Sequence, residues 1–460
     1  MRHLNYRELM AVVVLLLSGA TVGSAAQTSE VTVSPILPTI PQRRFVLTDY
    51  NAVGDGKTMN TDAFRKVIAA CHAAGGGNVI VPAGTFITGP FELTDNMALV
   101  LEKGATIRGS EDFKDYENTD ESGGRDNRFS KARVPALPLI RGLNLTNIAI
   151  RGEGTIDGAG AIWWQRFRAD RAAGAPQEGQ PALPGQPTAH QRPKLVWLIG
   201  CNKVHIQGVT LKDSPQFHLV PNRCQDVTIE DVKVIAPVDA PNTDAIDPTS
   251  SRNVLIRRCF IDVGDDNVSF KSNPSEGPLE NVLVTDCTFK HGHGASVGSN
   301  IGGGIRNITV QHCTFEGSDN GIRIKSRRDR GGVVENITYR DITMKNVGTA
   351  ILINLFYFDE AGAKGHKARP ITATTPIVRN VQIINVTVEG AKRAGEIIGL
   401  PEAPVTSVLL DNVRIKADGG MTIQDAKGVE LRDVRIMPQK GEPLTVTNAE
   451  VKTTPGKTKE

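Results

Sequence analysis

A nine-residue phrase, roughly Asn-Val-x-Ile-x-x-Val/Cys-x-Phe/Ile, recurs along this chain. Copies begin at Lys203, Asp226, Asn253, Asn281, Asn307, Asn336, Asn380, Ser407 and Gly428, with a longer relative at Asn147. Successive starts are 23, 27, 28, 26, 29, 44, 27 and 21 residues apart, the step of 44 holding an insertion. Within a copy apolar and polar residues alternate, as at Val282 and Val284 or Ile308 and Val310, which is the period of a strand. β-Branched residues fill the phrases, and Gly, Asn, Asp and Pro punctuate the gaps. A unit this short carries two or three strands and cannot bury its own apolar face. Stacking buries a continuous core and pairs each strand with the next coil. The pattern therefore predicts an all-β fold, a right-handed single-stranded parallel β-helix. Leucine-rich repeats fit less well, because Leu is sparse and no unit has room for a helix. A propeller blade needs roughly 40 residues.

Ahead of the repeats, residues 45–53 read as a strand and Val53-Gly54-Asp55-Gly56 as a turn. Thr61 is placed to cap a helix with apolar residues Phe64, Val67, Ile68 and Cys71, ended by Gly75-Gly76-Gly77. A β-helix leaves open strand edges at its ends, so this helix is expected as an N-terminal cap. The expected organisation is a signal peptide over 1–26, a linker over 27–44, a β-helix domain over 45–450 (cap and first coils over 45–110) and a disordered tail over 451–460. The signal rests on two Arg residues, an apolar run over 9–17 and small residues up to Ala26. That run is too short to span a bilayer, so a secreted or periplasmic protein without a membrane partner is expected. A net charge of +3 and no long basic run argue against a nucleic-acid partner. A monomer is expected. Cys259, Cys287 and Cys313 hold one place in consecutive phrases and should stack as buried thiols. Cys71, Cys201 and Cys224 stay open, a Cys201–Cys224 bridge included.

Four polar motifs follow in order: Asn242-Thr243-Asp244, Gly264-Asp265-Asp266, Gly292-His293-Gly294 and Arg323-Ile324-Lys325. Stacked coils turn such positions into a column. Neighbours on a strand face opposite ways, so Asp265 and Asp266 share a cleft only if the backbone bends at Gly264. Crowded carboxylates repel, leaving one protonated and others ionised. That acid-plus-base arrangement suits glycoside hydrolysis. A calcium site or turn-capping aspartates would use the same residue types. Three carboxylates beside His293 and an Arg-x-Lys pair favour catalysis over either. Arg323 and Lys325, two apart, share a face and suit an anionic substrate. His293 would orient or tune the Asp pair, its flanking glycines letting substrate approach.

These motifs, with Gly292-His293-Gly294-Ala295-Ser296-Val297-Gly298-Ser299 and Asn320-Gly321-Ile322-Arg323-Ile324-Lys325, resemble the polygalacturonase family, glycoside hydrolase family 28. Gly54-Asp55-Gly56-Lys57 and Gly399-Leu400-Pro401-Glu402 are similar to bacterial members. The resemblance implies a right-handed parallel β-helix that hydrolyses α-1,4-galacturonosyl bonds with inversion, without cofactor or metal. By motif, Asp265 resembles the general acid, and Asp244 and Asp266 the pair that activates water. His293 resembles the histidine supporting the acid. Asn242, Arg323, Lys325 and Tyr357 resemble substrate binders. A pectic polysaccharide or oligogalacturonide is the expected partner. Asn267 departs from the Cys usual after the Asp pair and is expected to pack inward. Insertions over 166–192 and 358–370 are expected to wall the cleft and favour exo action. Trp163 and Trp164 would either stack on sugar or pack. Rhamnogalacturonan or xylogalacturonan hydrolysis, a calcium-dependent lyase and a non-catalytic binder are the alternatives. Sequons at Asn144, Asn267, Asn307, Asn336 and Asn385 read as structural asparagines.

Overall fold

The computed structural model describes residues 33–117, 136–176, 190–357 and 367–455. The expected signal peptide, residues 177–189 of the first insertion and residues 358–366 of the second lie outside these. The chain is a right-handed parallel β-helix, in which every paired strand runs parallel to its partner in the next coil.

Each phrase builds two corners and two strands. Its first residue takes a left-handed backbone, as at Asn147 (φ 57°), Asn253 (54°), Asn307 (58°) and Asn380 (52°). Its sixth residue does so again, as at Asp231 (57°), Asp286 (56°) and Asp341 (54°). Asn and Asp tolerate this region better than other non-glycine residues. Between the corners run strands such as Arg252–Arg257 and Phe260–Asp262. The corner asparagines also join coil to coil: Asn281 donates to Asn253 at 3.4 Å, Asn307 to Asn281 at 3.1 Å, Asn336 to Asn307 at 3.0 Å and Asn380 to Asn336 at 2.7 Å. Those bonds give the Asn307 and Asn336 sequons a structural purpose.

The second residue of each phrase points inward. Val204, Val227, Val254, Val282, Ile308, Ile337, Val381 and Val408 stack in register and are buried. Each such side chain contributes about 1.5–3 kcal/mol of burial. Cys259, Cys287 and Cys313 form the expected ladder, and all six cysteines are buried free thiols, so Cys201 and Cys224 are not bridged.

Helix α1 (Thr61–Ala73) buries Ala63, Phe64, Val67, Ile68 and Cys71 against the first coil, with Phe64 stacked on Phe91 at 4.5 Å. Its N-cap is Asn60, not Thr61. The Thr61 hydroxyl instead accepts from the Gly89 N–H at 2.8 Å, tying the cap to a coil. Order begins before the expected boundary: the Asn78 amide donates to the Pro41 carbonyl at 3.0 Å. It also outlasts the expected one. The last strand, Leu444–Thr454, pairs with the coil before it and so runs past the 451 boundary expected for a disordered tail.

One face lacks the phrase. Its strands include Val196–Ile199, Leu219–Asn222, Val268–Ser272, Ala295–Ile301, Asn320–Lys325 and Thr349–Asn354. Register runs Trp197↔Val220, Ser269↔Ser296 and Ser296↔Arg323. Isolated bridges Leu219↔Ile246 and Ile246↔Val268 put Asp247 between Val220 and Ser269. Neighbouring strands lie about 4.8 Å apart, so this face gathers the four polar motifs.

Candidate active site

Asp265 and Asp266 sit where the chain turns onto this face. Gly264 has no room for a side chain, since a Cβ there would lie 2.5 Å from the Ala240 carbonyl. The glycine thus serves close approach of the loop that carries Asp244. The Thr243 hydroxyl accepts from the Gly264 N–H at 3.0 Å and locks the two loops together.

The three carboxylates have unlike surroundings. Asp265 Oδ1 accepts from the Asp266 N–H at 2.8 Å and from His293 Nδ1 at 3.1 Å. Its Oδ2 accepts from Asn242 Nδ2 at 3.4 Å. Asp266 is buried with four bonds. Oδ1 accepts from Ser296 at 2.7 Å and Arg323 at 3.2 Å, and Oδ2 from Ser269 at 2.9 Å and Lys325 at 2.8 Å. Two carboxylate oxygens offer about four acceptor sites, and all are taken. Asp244 Oδ2 accepts from Lys271 Nζ at 2.8 Å, while its buried Oδ1 has no partner.

The electrostatics follow. Burial pushes Asp244 well above the ordinary carboxylate range; repulsion from Asp265 adds to this and Lys271 opposes it. Asp247, two strand positions beyond Ala245, rises to about 6 through burial, against the pull of Lys271. Burial also works upward on Asp266, but Lys325, Arg323 and Lys271 outweigh it and hold it below the ordinary range. Asp265 is raised by burial, yet the His293 bond and charge bring it below its ordinary value. His293 is lowered by burial, but Asp265 raises it overall. Its Nε2 faces Asp319 Oδ2 at 3.3 Å, so both ring nitrogens meet carboxylates and the imidazolium is favoured. One carboxyl is indeed protonated most readily while others stay ionised. The carboxyl whose protonated form is most favoured is Asp244 and not Asp265, because the His293 imidazolium favours ionised Asp265.

All the sequence-predicted site residues converge here. Tyr357 lies 5.5 Å from the Arg323 guanidinium and 5.2 Å from Lys325 Nζ, ring centroid to cation. The glycines of Gly292-His293-Gly294 are required by the backbone itself. Gly292 and Gly294 have φ of 102° and 77°, and a Cβ on Gly294 would lie 2.3 Å from the Asn320 carbonyl. Asn267 packs inward as expected. Its amide donates to the His291 carbonyl at 2.7 Å and accepts from the Gly294 N–H at 2.9 Å, clamping the His293 loop from both sides. Trp163 and Trp164 lie on helix α2 (Ala161–Ala172), buried, Trp163 edge-on to Phe113 and Tyr116, so they pack and do not face a sugar.

Four participants were not singled out from sequence. Lys271 bridges Asp244 and Asp247 at 2.8 and 2.6 Å. Asp247 was part of no recognised motif. His218, buried and lowered by desolvation to about 4, accepts at Nε2 from the Ser214 N–H and donates from Nδ1 to the Asp244 carbonyl at 3.1 Å. Arg192 reaches Asn242 Oδ1 at 2.8 Å. Strand alternation placed Lys271 on the face of Ser269, and that signal was available.

A cavity of about 290 Å³ opens beside the carboxylates, lined by Lys194, Trp197, Phe217, Asp247, Lys271 and Glu276 among others. A larger one, about 510 Å³, lies against α1 and holds none of the candidate residues. Among the described residues, donor atoms of Asp265, Asp266 and His293 lie within 4.8 Å of one another, as metal ligands would. The fit is poor, because Asp266 has no free acceptor and Asp265 Oδ1 is engaged by His293. No helix among the described residues is long and apolar enough to cross a membrane.

The sequence profile of Glycosyl hydrolases family 28 matches residues 71–434. A probable polygalacturonase of Vitis vinifera is 31% identical over 383 residues, 80% of this chain and 73% of that protein. An endo-polygalacturonase of Pectobacterium parmentieri is 29% identical over 376 residues, 79% of this chain and 86% of its own. Among solved structures, a hyperthermoactive exopolygalacturonase from Thermotoga maritima superposes with a TM-score of 0.74 at 28% identity, covering 89% of this chain and 95% of that one.

Proposed function

The chain belongs to glycosyl hydrolases family 28, and on that premise we propose that it cleaves α-1,4-D-galacturonosyl linkages of pectic polysaccharide by single displacement with inversion, acting from chain ends. One observation carries this: a carboxylate cluster on one β-helix face, set directly against Arg323, Lys325 and Tyr357. Two cations beside the scissile position suit a uronate carboxylate.

Asp265 donates the proton to the leaving oxygen. Its side chain is 19% exposed, against 5% for Asp244 and 2% for Asp266, so it is the carboxyl with access to the cleft. The transferable proton is carried on Asp265 Oδ2, while Oδ1 stays bonded to His293 Nδ1. Asp244 Oδ1, buried and without a partner, holds the attacking water. Asp266 assists once a substrate carboxylate draws Arg323 or Lys325 away and frees an acceptor. Asn242 steadies the acid. Catalysis needs no metal, since protein cations already neutralise Asp266.

Exo action is supported by the cavity beside the carboxylates, walled in part by the residues that close the first insertion, and by the Thermotoga maritima likeness. The Pectobacterium parmentieri relative is named an endo-enzyme, so products decide. Export through the 1–26 segment is part of the same proposal; N-terminal sequencing of the mature protein starting near Gln27 supports it, and an intact Met1 refutes it.

De-esterified polygalacturonate, incubated with and without EDTA, tests the reaction. Early saturated monomer or dimer, insensitive to EDTA, is expected. A ladder of saturated oligomers overturns exo action alone. Unsaturated, EDTA-sensitive products mean a lyase, and no product moves the substrate to decorated pectins or the chain to a binding role.

A second reading exchanges the acid and base, because Asp244 is the carboxyl raised furthest. An aryl galacturonide whose leaving group needs no proton separates the two. The variant lacking the acid keeps turnover on it, and the variant lacking the base does not. Retained turnover in Asp265→Asn but not Asp244→Asn is expected; the reverse exchanges the roles.

A further inference from the structure

Arg192 closes the first insertion and is 4% exposed. Its Nη1 donates to the Pro215 carbonyl at 3.2 Å and the Pro241 carbonyl at 2.8 Å, and its Nη2 to Asn242 Oδ1 at 2.8 Å. The guanidinium lies 4.1 Å from the ring centroid of Phe167 on α2. Beyond it, Asn242 Nδ2 faces Asp265 Oδ2 at 3.4 Å.

A guanidinium only donates, and an ionised carboxylate only accepts. The amide between them therefore has one orientation, oxygen toward Arg192 and NH2 toward Asp265. Asp265 Oδ1 is engaged by the Asp266 N–H and His293, so Oδ2 is the oxygen that carries the transferable proton. An O–H on Oδ2 cannot point at a facing NH2 and turns into the cleft instead. A flipped amide would present its oxygen, accept that proton and keep it from the leaving group.

We infer that Arg192 is a positioning residue: by locking the Asn242 amide it aims the proton of Asp265 at the leaving oxygen. The inference rests on Asp265 being the acid. It also gives the first insertion a task at the chemistry itself, since α2 supplies the ring on which the guanidinium rests.

The charged groups around Asp265 are His293 with Asp319 beyond it, Asp266 with Arg323 and Lys325, and Asp244 with Lys271 and Asp247. None of them changes in an Arg192 variant. Arg192→Met removes both a cation and an oriented donor that favour ionised Asp265, so the acid holds its proton to higher pH.

The test is kinetic, on the purified protein with polygalacturonate. Arg192→Met should lower kcat about 10- to 100-fold with little change in KM, within the range of general acid catalysis. The alkaline limb of its pH profile should rise by roughly half a pH unit. Arg192→Lys should fall between. Adding Asn242→Ala to Arg192→Met should cost nothing further, because both act through one bond. Phe167→Leu, which touches no polar group, should reproduce the limb shift in smaller measure and covers the case in which Arg192→Met fails to fold. A fall in kcat with an unmoved limb, or multiplicative effects of the Arg192 and Asn242 changes, overturns the inference. Full turnover of polygalacturonate by Asp265→Asn overturns the underlying acid assignment instead, whatever the Arg192 variants do.

Discussion

Lys271→Met tests how the buried carboxylates are held. Lys271 Nζ lies 2.8 Å from Asp244 Oδ2 and 2.6 Å from Asp247 Oδ2, whose side chains are 5% and 1% exposed. Met keeps the apolar stem near Phe217 and deletes the charge. Asp247 already titrates at about 6 in place of 3.8. That gap of 2.2, at 1.36 kcal/mol per unit, is about 3 kcal/mol for keeping it ionised in the fold. The sign matters. A carboxyl whose folded pKa is raised binds its proton more tightly when native, so this penalty grows as pH rises through the interval from 3.8 to about 6 and is complete above it. Without Lys271 both carboxyls rise further. At about pH 7.5 the variant should lose roughly 3–5 kcal/mol, the cost of breaking a buried pair. At about pH 5 both carboxyls take up protons, and most of that loss should vanish. Urea unfolding midpoints at the two pH values measure it directly. In kinetics, Asp244 must be ionised to take a proton from water, so the acid limb of kcat/KM should move up by about one unit or more. Equal destabilisation at both pH values, or an acid limb that stays in place, refutes the idea that this cation governs Asp244 and Asp247.

Asp266→Asn should destabilise by about 3–5 kcal/mol, because it strands Arg323 and Lys325 in a buried site, and should reduce kcat at least 100-fold; a variant as stable as wild type in urea refutes the counter-ion role. Asn267→Ala should cost about 1–3 kcal/mol by unpairing the buried Gly294 N–H and His291 carbonyl. It should also depress kcat through the loosened His293 loop, and unchanged activity would show that the clamp is idle. Asn307→Ala breaks two bonds of the corner ladder at a φ of 58° and should cost about 1–2 kcal/mol with turnover unaffected; calorimetry against an activity assay separates these.

The resemblance read from four motifs named the family, and the motifs themselves do meet. Register explains why. Ser269, Ser296 and Arg323 occupy one row of successive coils, so residues more than 50 positions apart become neighbours. The balance of charge within the cluster was harder to read. Asp266, which resembles one of the water-activating pair, has every acceptor taken by two hydroxyls and two cations, and no motif announced that. The carboxyl pushed furthest above the ordinary range is Asp244, because its depth and its neighbours, and not its place in a motif, decide desolvation. Trp163 and Trp164 left open a choice between sugar and core, which burial on α2 resolved.

By itself the sequence determined the coil. Asparagine and aspartate at the left-handed corners, with β-branched residues alternating between them, specify a repeating strand unit from local sterics and a period of two. It likewise determined which face would be polar, since the four motifs interrupt that period. Only the tertiary structure decided the partners of each charged group. Lys271 reaches Asp244 and Asp247 through the bridge Thr249↔Lys271, on a face where no phrase recurs to announce the register. Arg192 reaches Asn242 across 50 residues from an insertion that follows no repeat. Periodicity carries information along a chain; the pairing of buried charges depends on depth and angle between loops, which only packing sets.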